Sequence, residues 1–309
     1  MKSTQSALIP GSTIGVIALS SPSEPKRFEL GLKYLRSKGF NTKVVLNPTR
    51  AYGKSTHLFS SDSARSRARA LESLFADPKV GAIIAARGGY GAMEVLPLID
   101  FSLLRRFPKP FVGYSDSTAF LLSLYGAGVG FPIHGPSIEG GFSRASTNRH
   151  DALSVSKLLS YLCDRSSNPL KQVAVKQLCG PPRQIRAPLI GGNLTLIASL
   201  LGTPWEPEFK RHILFLEDRG EKPHRIHRML LQLKLARKFE GIKAVLLGGF
   251  TDCGDAEHPK PSLRDVFEDI FEDLRIPVAW GAPFGHQSLN FPLPLGCRAL
   301  LTSKSLDLV

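Results

Sequence analysis

Short apolar runs alternate with amphipathic stretches along the chain, and their spacing predicts strands and helices in turn. Residues 14–19 form an apolar run of buried-strand type, closed by Ser20, Ser21 and Pro22. Phe28, Leu32 and Leu35 then fall in helical phase as far as Gly39, and residues 42–46 predict a second strand. Strand, helix, strand is the opening of a parallel α/β sheet. A loop over 47–61 and an Arg- and Ala-rich helix over 63–76 lead to a third strand, 80–85, which runs into Ala86-Arg87-Gly88-Gly89-Tyr90-Gly91. Pro110, Phe111 and Val112 form the next strand. It breaks at Gly113 into Tyr114-Ser115-Asp116, and a helix begins at once with Phe120, Leu121, Leu124 and Tyr125 on one side. A short strand over 130–135, a Gly/Ser loop over 136–148 and a helix over 150–162 follow.

Between 163 and 182 the composition shifts to Arg, Ser, Asn, Lys and Gln and ends in Gly180-Pro181-Pro182, as expected where a chain crosses between domains. Beyond it, residues 187–192 lead into a helix over 194–201 capped by Asn193. A strand over 213–216 delivers Glu217-Asp218, a helix spans 226–239, and a strand over 244–247 ends in Gly248-Gly249. An acidic helix over 263–274, a strand over 278–280 running into Gly281-Ala282-Pro283-Phe284-Gly285-His286, and a last strand from 298 to 301 complete the pattern. The prediction is an α/β protein: an N-terminal α/β domain over 1–165, a linker over 166–182 and a C-terminal β/α domain over 183–309.

Composition narrows the classes. At 309 residues the chain can build two cores, and its apolar share of 42% and charged share of 21% are those of a soluble globular protein. The net charge of +14 would attract anions, yet the Lys and Arg residues are scattered and no nucleic-acid motif accompanies them. A solubilising surface is the better reading. The four cysteines (Cys163, Cys179, Cys253, Cys297) form no C-x-x-C pair, which argues against a zinc knuckle or disulfide scaffold and favours a reducing compartment. No apolar run approaches the roughly 20 residues of a membrane-spanning helix. The N-terminus reads as a first strand rather than a signal sequence, so a cytoplasmic protein is expected.

Candidate chemistry lies where strands end. The Gly113 to Thr118 elbow lifts the Ser115 hydroxyl beside a helix N-terminus, where free N–H groups favour developing negative charge. The plainer reading is a helix cap made by Asp116, Ser117 or Thr118. The Gly88-Gly89 turn could present N–H groups to a ligand at the same sheet edge, or could be a tight turn only. It is not the G-x-G-x-x-G fingerprint. Gly53-Lys54-Ser55-Thr56 is not a P-loop, because Pro48 stands where the leading glycine would fall. Ser115, Glu217 and His286 have the chain order of one type of Ser-acid-His triad, in which the carboxylate orients the imidazole that activates the serine. Glu217 as an arginine partner and His286 as a structural histidine are the alternatives. His224 with His227, and Asp252, Cys253, Asp255 and His258, match no zinc spacing.

The segments ARGGYGA (86–92), PFVGYSDST (110–118), IGGNLTLIASLLGTPWEP (190–207), ILFLEDRGEKPHRIHRMLLQL (213–233) and FGHQSLNFPLPLG (284–296) resemble the LD-carboxypeptidase family of serine peptidases. That family includes murein tetrapeptide carboxypeptidases and microcin C immunity peptidases, and the segments occur in its order over nearly the whole chain. The resemblance implies a Rossmann-like (flavodoxin-like) parallel-sheet N-terminal domain and a C-terminal swivelling-type β/α domain, with the active site in the cleft between. It implies a nucleophile at Ser115, with Glu217 and His286 completing the triad. The implied oxyanion donors are backbone N–H groups of Asp116 and of the Gly88-Gly89 turn. No metal and no organic cofactor are implied. Arg87 is a candidate for the substrate carboxylate that a carboxypeptidase must recognise. The expected reaction releases terminal D-alanine from murein tetrapeptide in peptidoglycan recycling. The rivals are cleavage of an amide in a peptidyl- or aminoacyl-nucleotide, and a catalytically silent two-domain ligand-binding protein. The expected partner is a small peptide, with neither nucleic acid nor membrane, and a homodimer is an open option. Tyr and Asp are more usual in the family where His224 and His227 stand.

Overall fold

The computed structural model describes residues 7–53 and 57–309. Lys54, Ser55 and Thr56 of the tetrapeptide rejected as a P-loop lie outside the described residues. The chain divides into two compact units, Met1–Pro169 and Leu170–Val309.

The first unit is built on five parallel strands: β1 (Thr13–Ile17), β2 (Asn41–Val45), β3 (Val80–Ala85), β4 (Pro110–Gly113) and β5 (Phe131–His134). Within this unit they run in the order β5-β4-β3-β1-β2, with Val16 opposite Val44 and Ile84, and Val112 opposite Ile133. Strands β1, β3 and β4 are apolar and buried, because helices cover both faces of such a sheet. Strand β2 is largely exposed. The helices are α1 (Pro25–Ser37), α2 (Ala64–Ala76), α3 (Ala92–Val95), α4 (Phe101–Arg106), α5 (Thr118–Gly126) and α6 (Arg149–Cys163). This flavodoxin-like order reverses direction between β1 and β3, and ligands bind outside the carboxyl ends of strands at such a reversal. The turns after β1 and β3 therefore flank the switch point.

Several boundaries differ from the sequence pattern for local reasons. Strand β1 ends two residues before its apolar run does. The Ala18 carbonyl accepts from Ser61 Oγ and the Leu19 carbonyl from Arg67, so both leave the ladder. Helix α1 begins at Pro25 rather than Phe28, because the Glu24 carboxylate caps it through Lys26 N (2.9 Å) and Arg27 N (2.8 Å). The short helices α3 and α4 carry too few turns for periodicity to reveal them.

The second unit holds an eight-stranded sheet. Its strands include β6 (Val173–Ala174), β7 (Lys176–Cys179), β8 (Ile185–Asn193), β9 (Ile213–Arg219), β10 (Ala244–Thr251) and β11 (Val278–Gly285). After the two-residue β12 (Leu293–Pro294) come β13 (Arg298–Leu301) and β14 (Ser305–Leu308), and the order is β6-β14-β13-β8-β9-β10-β11-β7. The centre, β8 to β11, is parallel and the flanks are antiparallel. Helices α7 (Leu194–Leu200), α8 (Pro223–Leu235) and α9 (Leu263–Phe271) join the strands.

Within the segment expected to be linker, Val173–Ala174 and Lys176–Cys179 are strands. These short segments take flank positions, and their backbone bonds are made to β14 and β11. Strand β8 spans nine residues where the sequence suggested only a lead-in. Gly191 within it has φ 147°, and a Cβ there would lie 1.8 Å from the Phe215 carbonyl oxygen, so only glycine lets β9 pass this close. Helix α8 stops at Leu235, short of the expected 239, and Arg237 turns the chain at φ 60°.

Candidate active site

In the first unit, β4 delivers the chain to Tyr114, which is extended, and then to Ser115 with φ 60°. A non-glycine residue in the left-handed region is uncommon, and strained backbone clusters at functional sites. A single helical turn, Ser115–Ser117, then passes into α5. The Asp116 N–H is among the first of this helical run, where N–H groups lack a carbonyl partner in the helix.

The glycine turn after β3 lies against this elbow. A Cβ on Gly88 would fall 2.9 Å from Ser115 Cβ, 3.0 Å from its Oγ and 3.5 Å from Asp116 N. Gly88 is thus the glycine that abuts the hydroxyl. Gly89, with φ 115°, instead abuts Ser21, whose Oγ accepts from Tyr90 N at 3.0 Å. The Asp116 side chain does not cap α5, contrary to one expectation. It is buried and its Oδ2 accepts from Ala92 N at 2.8 Å, tying the elbow to the end of the glycine turn. Burial pushes its carboxyl above the ordinary aspartate value, against the pull of the nearby Ser20 hydroxyl, the Ala92 N–H and the charge of Arg67.

Arg87 is partly exposed and already engaged. Its Nε donates to the Gly88 carbonyl and its Nη1 to the Pro22 carbonyl, both at 3.2 Å, and Nη1 stands 3.6 Å from Glu139 Oε1. Pinned in this way, its guanidinium is oriented at the rim of the glycine turn.

In the second unit, β9 and β11 are separated by β10 and carry Glu217 near the end of one and His286 just past the end of the other. Glu217 has no solvent exposure, and its Oε2 lies 2.6 Å from His286 Nδ1. That contact fixes the ring's orientation. Gly285 makes the approach possible: a Cβ there, at φ 94°, would stand 2.6 Å from Glu217 Oε2.

Residues that the sequence did not single out hold this pair. Asn290 Oδ1 accepts from Gly285 N at 3.0 Å, and Gln287 Nε2 donates to the Ala282 carbonyl (2.6 Å) and the Phe284 carbonyl (3.1 Å), closing the loop that bears His286. Asp218, next to Glu217, accepts from Asn193 Nδ2 and Thr195 N at 2.9 Å and from Thr195 Oγ1 at 2.8 Å. Burial, with the neighbouring Glu217 charge, pushes its carboxyl up. No spacing rule announces these partners, since each pair lies far apart in sequence or inside an irregular loop.

Several of the groups weighed as metal ligands have other partners. His227 Nε2 pairs with Asp269 Oδ2 at 3.0 Å on the surface. Cys253 is buried, its thiol pushed up to about 11 by desolvation. Asp255, Glu257 and His258 bring three ligand-type atoms within 4.8 Å, but Asp255 also pairs with Lys222 at 3.2 Å. Among the described residues no helix is long and apolar enough to cross a membrane.

Comparison with known proteins places both units in one family. Residues 14–135 match the model of the LD-carboxypeptidase N-terminal domain, and residues 186–301 match that of the LD-carboxypeptidase C-terminal domain. The chain is 32% identical over 302 residues to a probable murein peptide carboxypeptidase of Bacillus subtilis, covering 96% of this chain and 91% of that protein. It is 27% identical to the microcin C7 self-immunity protein of Escherichia coli, covering 94% and 90%. The crystal structure of muramoyltetrapeptide carboxypeptidase from Oxalobacter formigenes superposes with a TM-score of 0.83 at 30% identity, over 96% of this chain and 98% of the other. The fold and the family models together establish that the chain belongs to the LD-carboxypeptidase family.

Proposed function

We propose that the chain is a serine carboxypeptidase that hydrolyses the bond between an L-centred residue and terminal D-alanine in murein tetrapeptide. The observation that carries this reading is the strained Ser115 elbow packed on Gly88, together with the His286–Glu217 pair. The names of the similar proteins from Bacillus subtilis and Oxalobacter formigenes support the substrate class.

In the proposed mechanism, His286 Nε2 takes the proton of Ser115 as Oγ attacks the scissile carbonyl carbon. Glu217 holds Nδ1–H and stabilises the imidazolium that forms. The carbonyl oxygen becomes an oxyanion, met by N–H groups of Asp116 and of the Gly88-Gly89 turn, each such donor being worth about 3 to 4 kcal/mol. His286 returns the proton to the departing amine as the C–N bond breaks. Water, activated by the same imidazole, then releases the acyl group and restores Ser115. Arg87, oriented by Glu139, is the cation assigned to the free carboxylate of the substrate.

The likeness to the microcin C7 self-immunity protein supports a second reading, in which the same three side chains cleave an amide in a peptidyl- or aminoacyl-nucleotide. Incubating the purified protein with tetrapeptide and with an aminoacyl-nucleotide amide, followed by mass spectrometry, separates the two. Release of D-alanine that disappears in Ser115→Ala supports the first reading. Hydrolysis of the nucleotide conjugate alone would replace it with the second, and inertness toward both would favour a silent binding protein.

A further inference from the structure

We infer that the buried guanidinium of Arg67 is a positioning residue for the glycine turn beside Ser115, and that the Asp116 carboxylate makes turn and nucleophile one rigid body. This rests on the serine-peptidase reading above and adds to it residues of the N-terminal unit that the chemistry itself does not use.

Arg67 sits on α2 in helical phase with Leu71 and Leu74, on the stripe that faces the sheet, and has no solvent exposure. A cation on such a stripe is costly unless its donors are met. Here they are met by the elements that frame the switch point. Nε donates to the Asp62 carbonyl at 2.9 Å, and Nη1 donates to the Gly91 carbonyl at 2.7 Å and to the Leu19 carbonyl. Nη2 pairs with Glu94 on α3, whose Oε2 also accepts from Ser60 Oγ at 3.0 Å. A lysine could not make these contacts, because the planar fork reaches several acceptors at fixed angles and a point ammonium does not.

Gly91 is shaped for this guanidinium. It has φ 115°, and a Cβ there would stand 3.0 Å from Arg67 Nη1 and 2.4 Å from Ser60 Oγ. The turn is thus held at Tyr90 by Ser21, at Gly91 by Arg67 and at Ala92 by Asp116, while Gly88 remains against Ser115. The side chain of Asp116 fixes the end of the turn, and its own backbone N–H belongs to the elbow. Displacing the guanidinium would therefore shift Gly88 relative to Ser115 and Asp116 N. Oxyanion donors tolerate little error: a misplacement of about 1 Å costs roughly 100-fold in rate.

The test uses the full chain carrying Arg67→Met or Glu94→Gln. A fluorophosphonate titrates the fraction of molecules with a reactive Ser115. Turnover of tetrapeptide is then expressed per titrated site, alongside KM and the inhibition constant of a peptide boronic acid, whose anionic tetrahedral serine adduct occupies the oxyanion position. For Arg67→Met we expect per-site kcat to fall on the order of tenfold to 100-fold, boronate affinity to fall in parallel, and KM to stay within about twofold. Glu94→Gln, which leaves the guanidinium in place but loosens one anchor, should show the same pattern at about threefold to tenfold, and it decides the matter if Arg67→Met does not fold. If per-site kcat and boronate affinity match the wild type while only the titrated fraction falls, Arg67 serves folding alone and the inference is overturned. A wild-type protein that neither labels at Ser115 nor releases D-alanine would overturn the peptidase reading, and this inference with it.

Discussion

Replacing Glu217 with glutamine removes one charge and little else, so its effect can be worked from the geometry. Glu217 is fully buried, with Oε2 2.6 Å from His286 Nδ1 and Oε1 without a hydrogen-bond partner. If the amide oxygen faces Nδ1–H, the contact survives as a neutral hydrogen bond, and the NH2 group enters a pocket that offered Oε1 no partner. If the amide flips, its NH2 faces Nδ1 and drives the ring proton onto Nε2, the nitrogen that accepts from Ser115 in the proposed mechanism. Either way the imidazolium of the transition state loses its counter-charge. At about 4 Å between charge centres and an effective dielectric near 20, that attraction is about 4 kcal/mol. A charge-assisted hydrogen bond exceeds a neutral one by about 1 to 2 kcal/mol. Taking a range of about 2 to 4 kcal/mol, kcat should fall roughly 30-fold to 1,000-fold. KM should change little, since a fully buried carboxylate does not touch substrate. The assay is steady-state release of D-alanine from tetrapeptide at saturating and limiting concentrations, normalised to Ser115 labelling. A Glu217→Gln variant within about threefold of wild-type kcat would refute the claim that this carboxylate serves the imidazole. Gly285→Ala perturbs the same pair sterically, by placing a methyl 2.6 Å from Glu217 Oε2 at φ 94°, and should lose activity as well as stability.

Other substitutions probe separate parts of the argument. Gly88→Ala meets no φ barrier, yet sets a methyl 3.0 Å from Ser115 Oγ; it should cut Ser115 labelling sharply while thermal denaturation shows a folded protein. The Asp116 carboxyl is raised by burial, so its contribution to stability is fully present below the unfolded aspartate value near 3.8 and is lost as pH rises through the higher folded value. Asparagine can still accept from Ala92 N but does not ionise. The stability of Asp116→Asn relative to wild type should therefore increase with pH across that window in chemical denaturation, and a flat difference would show that the carboxyl is not perturbed. In the core of the second unit, Phe271 is fully buried and meets Phe239 edge-on at 5.4 Å, so Phe271→Ala should cost about 3 to 5 kcal/mol in denaturant titrations without altering per-site activity.

Much of the fold was legible because strand and helix periods are local properties. The run at 80–85, the glycine cluster after it and the break at Gly113 each carry their signal within a few residues. The same holds for Glu217 and His286, each placed at a strand end by the apolar run before it. Arg67 offered a local signal that went unused: its phase with Leu71 and Leu74 places a charge on a buried stripe, which demands partners. Those partners, Asp62, Leu19, Gly91 and Glu94, come from separate elements. Asn290, Asn193 and Thr195 gave no such signal, since a polar residue in a loop or at a helix cap looks the same whether or not its other atoms are needed elsewhere.

By itself the sequence determined the alternation of elements, the parallel strand pairing that alternation requires, and the strand-end positions of Ser115, Glu217 and His286, which follow from spacing along one chain; the family was legible in the resemblance of whole segments. Only the tertiary structure decided that Glu217 grips His286 across an intervening strand and that Gly88, rather than Gly89, lies against Ser115. It alone sent the Asp116 side chain to Ala92 instead of to its own helix. The reason is physical: a buried polar atom takes whichever partner packing brings within about 3 Å, and that distance is set by how strands are ordered in the sheet, which no single stretch of residues contains.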